Sequence, residues 1–139
     1  MDLKHPQACL THGLMRAART LARGFEAEAA SLGVSAPQFP VLARLSGMGG
    51  MSVGQIAVAV DADRTTISRN LAVMAQKGWI AEVATEDRRE RVWDLTDAGR
   101  ETLALAIPIW QAWQSRLVDR IGADAAVDLS KTLRTLAPT

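Results

Sequence analysis

The sequence predicts a mainly α-helical fold with one small β-hairpin. Three observations predict it. Apolar residues recur at helical spacing over most of the chain. Capping pairs and glycines mark where those helices begin and stop. Two short strand-like runs, residues 79–84 and 91–95, flank the polar turn Thr85-Glu86-Asp87-Arg88-Arg89-Glu90.

Helix 1 is expected over about 7–32, after a short lead with Pro6 near the first helical position. Leu10, Leu14, Ala17, Leu21 and Phe25 form one apolar face; His12, Arg16, Arg19, Arg23 and Glu26 lie opposite. Gly33 ends it. Ser35 and Gln38 form a capping-box pair for helix 2, which runs to about Ser46 and buries Phe39, Leu42 and Leu45. Gly47-Met48-Gly49-Gly50 is a connector. Ser52 and Gln55 form another capping box, so helix 3 starts at 53, with Ile56, Ala57 and Val60 inward. Asp63 is the N-cap of helix 4, about 63–77, with Ile67, Leu71 and Met74 as its buried stripe. Gly78 supplies the left-handed residue that ends it. After the hairpin, Thr96 caps a long helix 5, whose stripe is Leu103, Ala106 or Ile107, Trp110, Trp113, Leu117 and Ile121. Pro108 should kink it. Gly122 separates it from a last helix, from about Asp124, that buries Val127, Leu129, Leu133 and Leu136, with Pro138 closing the chain.

Two short helices across a tight turn, with small Ala57 on the first and Ile67 on the second, have the spacing of a helix-turn-helix. The second helix of such a pair lies in the DNA major groove. Arg64, Thr65, Thr66, Ser68 and Arg69 are its candidate contacts, facing away from the buried stripe or lying in its first turn. A hairpin after a recognition helix is a wing.

At this point the chain resembles the MarR family of bacterial transcription regulators. The matching residues are the Thr66-Ile67-Ser68-Arg69 run, the Gly78-Trp79-Ile80 helix end, Asp87-Arg88-Arg89 in the wing, and Leu95-Thr96-Asp97-Ala98-Gly99 after it. The resemblance extends over essentially the whole chain. It implies one domain over 1–139, a winged helix-turn-helix at 35–95 with its wing at about 79–95, and dimerisation helices at 7–32 and 96–137. It implies that Asp87 orients a guanidinium at the wing tip, while Arg88, Arg89 and Arg91 reach phosphates or the minor groove. Glu86, Asp87, Glu90 and Asp94 interleave with those arginines, so the wing is no simple basic patch. The partners implied are double-stranded DNA, a second copy of the chain and a small aromatic or phenolic effector. Apolar stripes at both chain ends also call for a partner surface. The effector is expected where helices 1, 2 and 5 meet, among Phe39, Trp110 and Trp113, with His12 and Arg16 as its cationic partners. Repression and ligand release rest on the resemblance alone.

The 139 residues are 48% hydrophobic and 22% charged, ordinary for a globular chain. Lys and Arg number 16 against 15 Asp and Glu, so DNA contact must come from arrangement rather than bulk charge. The single Cys9 cannot form an internal disulfide and fits a reducing cytoplasm. No apolar run approaches the roughly 18 residues of a membrane span, and no secretory h-region is evident. A redox-sensing regulator acting through Cys9 is an alternative. It lacks a second cysteine to resolve a sulfenic acid and any tyrosine to bind the thiol. A winged helix used only for protein contact is another; it would lose the basic face kept here. His5 and His12 have no acidic or thiol cluster around them, so neither metal nor cofactor is expected. An enzyme is disfavoured, because no phosphate-binding glycine loop and no Ser/His/Asp set occur.

Overall fold

The computed structural model describes residues 1–87 and 89–137. A 3-10 turn at Pro6–Ala8 leads into α1 (Leu10–Glu28). This helix is shorter at both ends than the expected 7–32. Cys9 starts it as an extended N-cap, its exposed sulfur accepting from the His12 N–H at 3.5 Å. At the other end the chain turns over residues 29–33, with Gly33 at φ +68°, to bring Val34 into the core. α2 (Gln38–Met48) follows. Only one arm of the expected capping box forms. The Gln38 side chain accepts from the Ser35 N–H at 3.0 Å, while Pro37 occupies the cap without a side-chain bond.

The glycine connector leads to a strand the sequence pattern did not predict, β1 (Met51–Ser52). It pairs antiparallel with β3 (Val92–Leu95), Met51 opposite Trp93 and Ser52 opposite Val92. Two residues are too few for an alternation to be read. Ser52 also starts α3 (Val53–Ala59), with both arms of its capping box made to Gln55. The turn to α4 (Arg64–Gln76) places Asp61 at φ +52°, and Ala62 N–H bonds the Ala57 carbonyl at 2.9 Å. Aspartate tolerates this left-handed conformation better than most side chains. α4 ends on Gly78 at φ +76°, with Trp79 N–H on the Met74 carbonyl at 3.0 Å, the six-to-one bond of a Schellman motif. β2 (Ile80–Val83) then pairs with β3, giving the sheet order β1-β3-β2.

α5 (Asp97–Ile121) is capped by Thr96 and remains helical through Pro108. α6 (Ala123–Leu136) follows Gly122. The core lies around the helix-turn-helix: Leu42, Leu45, Ile56, Ile67, Leu71 and Met74 are the most enclosed large side chains. The expectation that α6 buries its own stripe is corrected. Val127, Leu129, Leu133 and Leu136 are all exposed, by 42–57%, because no element of the same chain covers them. On α1 only Phe25 of the predicted face is buried, and Leu10, Leu14 and Leu21 stay exposed. Among the described residues no helix is long and apolar enough to cross a membrane. Among them no group of three or more His, Cys, Asp or Glu could hold a metal.

Candidate nucleic-acid interface

α4 presents a polar face because its apolar residues are spent inward. Ile67, Leu71 and Met74 are buried, and Arg64, Thr65, Thr66, Ser68 and Arg69 are exposed. Asp63 fixes the start of the helix. One carboxylate oxygen accepts from the Thr66 N–H at 2.8 Å, and the other from the Thr66 hydroxyl at 2.7 Å. These bonds to its charged form hold the Asp63 carboxyl below its ordinary range. Thr66 therefore has its hydroxyl proton engaged in the cap and keeps only acceptor capacity outward. Arg64 lies back over Gly54 on α3. Among the described residues, Arg64, Arg69 and Arg89 join no ion pair, whereas Arg91 does.

Asp87 shapes the wing turn. Its carboxylate accepts from the Arg89 backbone N–H at 2.9 Å. The Thr85 hydroxyl adds a 2.6 Å bond to the Asp87 carbonyl. Arg88 lies outside the described residues. Arg91 is engaged: its Nε donates to Glu82 on the neighbouring strand, and its guanidinium lies 5.3 Å from the Trp93 ring centroid. That bond lowers the pKa of Glu82 and raises that of Arg91. Glu82, Arg91 and Trp93 share one sheet face, since Glu82 pairs with Trp93 in register.

A separate cavity of about 800 Å³ opens where α1, α2 and α5 meet. Phe39, Trp110 and Trp113 line it, together with Phe25 and Arg44. Phe39 and Trp110 stack at 5.6 Å with an 18° angle between rings, and Phe25 meets Phe39 edge-on. His12 and Arg16 are not among the residues that line it. α1 lines the cavity through Ala18, Leu21, Ala22 and Phe25. Arg16 stands about 200° round the helix from Ala18, and His12 about 9 Å along the axis from it. The cation at this cavity is Arg44.

A sequence model of the MarR family matches residues 32–90. Solved MarR-family regulators superpose on nearly the whole chain. Over residues 32–90 the chain is thus similar to the MarR family, and over its length it has the fold of MarR-family regulators. The transcriptional repressor CouR bound to a 23-mer DNA duplex is 27% identical, with a TM-score of 0.86 over 99% of this chain and 98% of that one. The M. tuberculosis regulator MosR in complex with DNA is also 27% identical, with a TM-score of 0.77 over 93% and 98%. BpsR of Bordetella bronchiseptica, whose DNA binding is regulated by 6-hydroxynicotinic acid, shares the fold at 21% identity and a TM-score of 0.87 over 97% of each chain. No curated protein matches. MarR-family proteins are DNA-binding transcription regulators and not enzymes.

The Leu95-to-Gly99 run is a joint. Leu95 is buried, Thr96 caps α5, and Gly99 sits so close to the Trp79 carbonyl that a Cβ would collide with it. Thr96 also donates its hydroxyl to the Gly78 carbonyl and its N–H to the Trp79 carbonyl at 3.0 Å. Three residues escaped the sequence reading. Arg44 was findable from the exposed Pro40-Ala43-Arg44 face of α2, which is too apolar to face only water. Glu82 and Trp93 needed the strand register, which the sequence does not print.

Proposed function

We propose that this regulator is a repressor that binds a pseudo-palindromic operator as a homodimer and is released by a small aromatic or phenolic ligand. The whole of 1–139 would act as one unit, with 35–95 on DNA and the helices at 7–32 and 96–137 joining two copies in the cytoplasm. The observation that carries the reading is α4: a capped helix presenting Arg64, Thr65, Ser68 and Arg69 outward, with a wing beside it. Arg69 is assigned to base edges and Arg89 to phosphate. Thr66, through the Asp63 cap, and Asp87, through the wing turn, position these groups. CouR supports the partners, because it occurs bound to DNA and bound to p-coumaroyl-CoA. The cavity with Phe39, Trp110, Trp113 and Arg44 suits a flat ring bearing an acid.

Gel-shift and footprinting on the DNA upstream of its own gene test the proposal. Two protected half-sites about one helical turn, or ~34 Å, apart are expected. Arg69→Ala should relax sequence preference. Arg89→Ala should weaken binding to all sequences and flatten the salt slope by about one unit. A single half-site held by a monomer would refute the dimeric reading.

A further inference from the structure

Two hydrogen-bonded anchors from distant parts of the chain hold the C-terminal end of α4. On one side Thr96, the cap of α5, donates its hydroxyl to the Gly78 carbonyl and its N–H to the Trp79 carbonyl. On the other side Lys77, the C-cap of α4, donates from Nζ to the Gly33 carbonyl at 2.6 Å. Gly33 lies in the turn between α1 and α2, at φ +68°. The Glu26 carboxylate on α1 accepts from the Ala36 N–H at 3.0 Å, so that turn is tied back to the helix it leaves. Phe25, beside Glu26, and Ala36 both line the cavity of about 800 Å³. Each end of the turn that holds Lys77 therefore carries part of the cavity wall.

Lys77 suits a bond that is made and broken. It is exposed, so water competes for the ammonium and the carbonyl, and the bond is worth little net. Its Nζ also lies 4.5 Å from the Trp79 ring centroid, a second partner that holds the ammonium nearby when it leaves Gly33. We propose, resting on the ligand-release reading, that Lys77 is the strap through which the cavity acts on the DNA-reading helix. With the cavity empty the strap is closed, and both anchors hold α4. A ligand that spreads α1 from α2 carries the Gly33 carbonyl off Lys77, and α4 pivots on its Thr96 anchor. Opening one such bond changes operator affinity by about fivefold to tenfold. Lys77 is a positioning residue and touches neither ligand nor DNA.

Lys77→Met keeps the aliphatic stem and removes the donor. Operator binding should weaken about fivefold with the salt slope unchanged, because no phosphate contact is lost. Unchanged affinity overturns the strap, and a slope flatter by about one unit overturns it by making Lys77 a DNA contact. Ala18→Phe and Ala43→Phe then stand in for a ligand, each adding a ring at an exposed alanine of the cavity wall, on α1 and α2 respectively. Lys77 and both alanines are exposed, so the variants should fold. Either ring should weaken operator binding about fivefold in the otherwise native chain, and by less than about twofold when Lys77→Met has already opened the strap. Equal, additive losses in the two backgrounds overturn the strap and leave ligand release standing. If neither ring changes affinity in the native background, the cavity does not govern DNA binding, and the ligand-release reading falls together with the strap.

Discussion

Asp63 and Gly99 show how single atoms orient the DNA-reading helix. The Asp63 carboxylate holds the first turn of α4 through the Thr66 N–H and hydroxyl, and both bonds favour its ionised form. Its folded-state pKa is lowered, so its stabilisation is complete above the ordinary aspartate value of about 3.9 and is lost as pH falls through the lower folded value. Asp63→Ala should therefore lower the melting temperature at neutral pH by more than Asp63→Asn, which keeps a capping oxygen. The gap between Asp63→Ala and wild type should close in strong acid; a gap that persists there would refute the cap. At Gly99 a methyl group would strike the Trp79 carbonyl, which is backbone and cannot swing away. Gly99→Ala should cost about 1–3 kcal/mol in urea unfolding, as overpacking does. The sequence marks both positions, Asp63 as a cap and Gly99 by its motif, but the reason for the glycine appears only with Trp79 beside it.

Helices with a capping residue and a clear stripe were legible in the sequence; elements defined by a partner were not. α3, α4 and α5 begin where Ser52, Asp63 and Thr96 indicate, because a cap is a local bond within four residues. β1 has no local signal, because its pairing with the distant β3 creates it. Periodicity ranks the faces of α1 without saying which gap each faces, so it does not mark Arg44 across the cavity. The stripe of α6 predicts burial but not by whom, and within one chain it stays exposed. Leu129→Glu with Leu133→Glu tests the partner. Both side chains are exposed within one chain, so its fold should persist. Light scattering should show monomers, and operator affinity should fall about 10²–10⁴-fold once the half-sites are no longer linked. A soluble dimer with normal binding would place the interface elsewhere.

Across the whole molecule, the ring stack of Phe39 on Trp110 joins α2, next to the helix-turn-helix, to α5, the longest helix. A ligand that wedges between these rings changes how the two helices sit. It releases DNA only if it binds the operator-free conformation of the protein more tightly, and a tenfold effect needs about 1.4 kcal/mol of difference. Titration with aromatic carboxylates should quench tryptophan fluorescence, more weakly when operator is present, and Arg44→Ala should abolish binding of the acid but spare its neutral amide. Equal affinity with and without DNA would separate the cavity from regulation. The joint at Trp79 and Gly99 bears on a different property, the ruler rather than the letters. α5 has 25 residues, an arm of about 37 Å at about 1.5 Å per residue. A tilt of about 5° at that joint displaces the far end by about 3 Å, close to the ~3.4 Å step between nucleotides along a strand. In a dimer joined through its distal helices, substitutions there would retune the spacing between half-sites while leaving the bases read in each one untouched. New operators could then arise by insertion or deletion as readily as by base change.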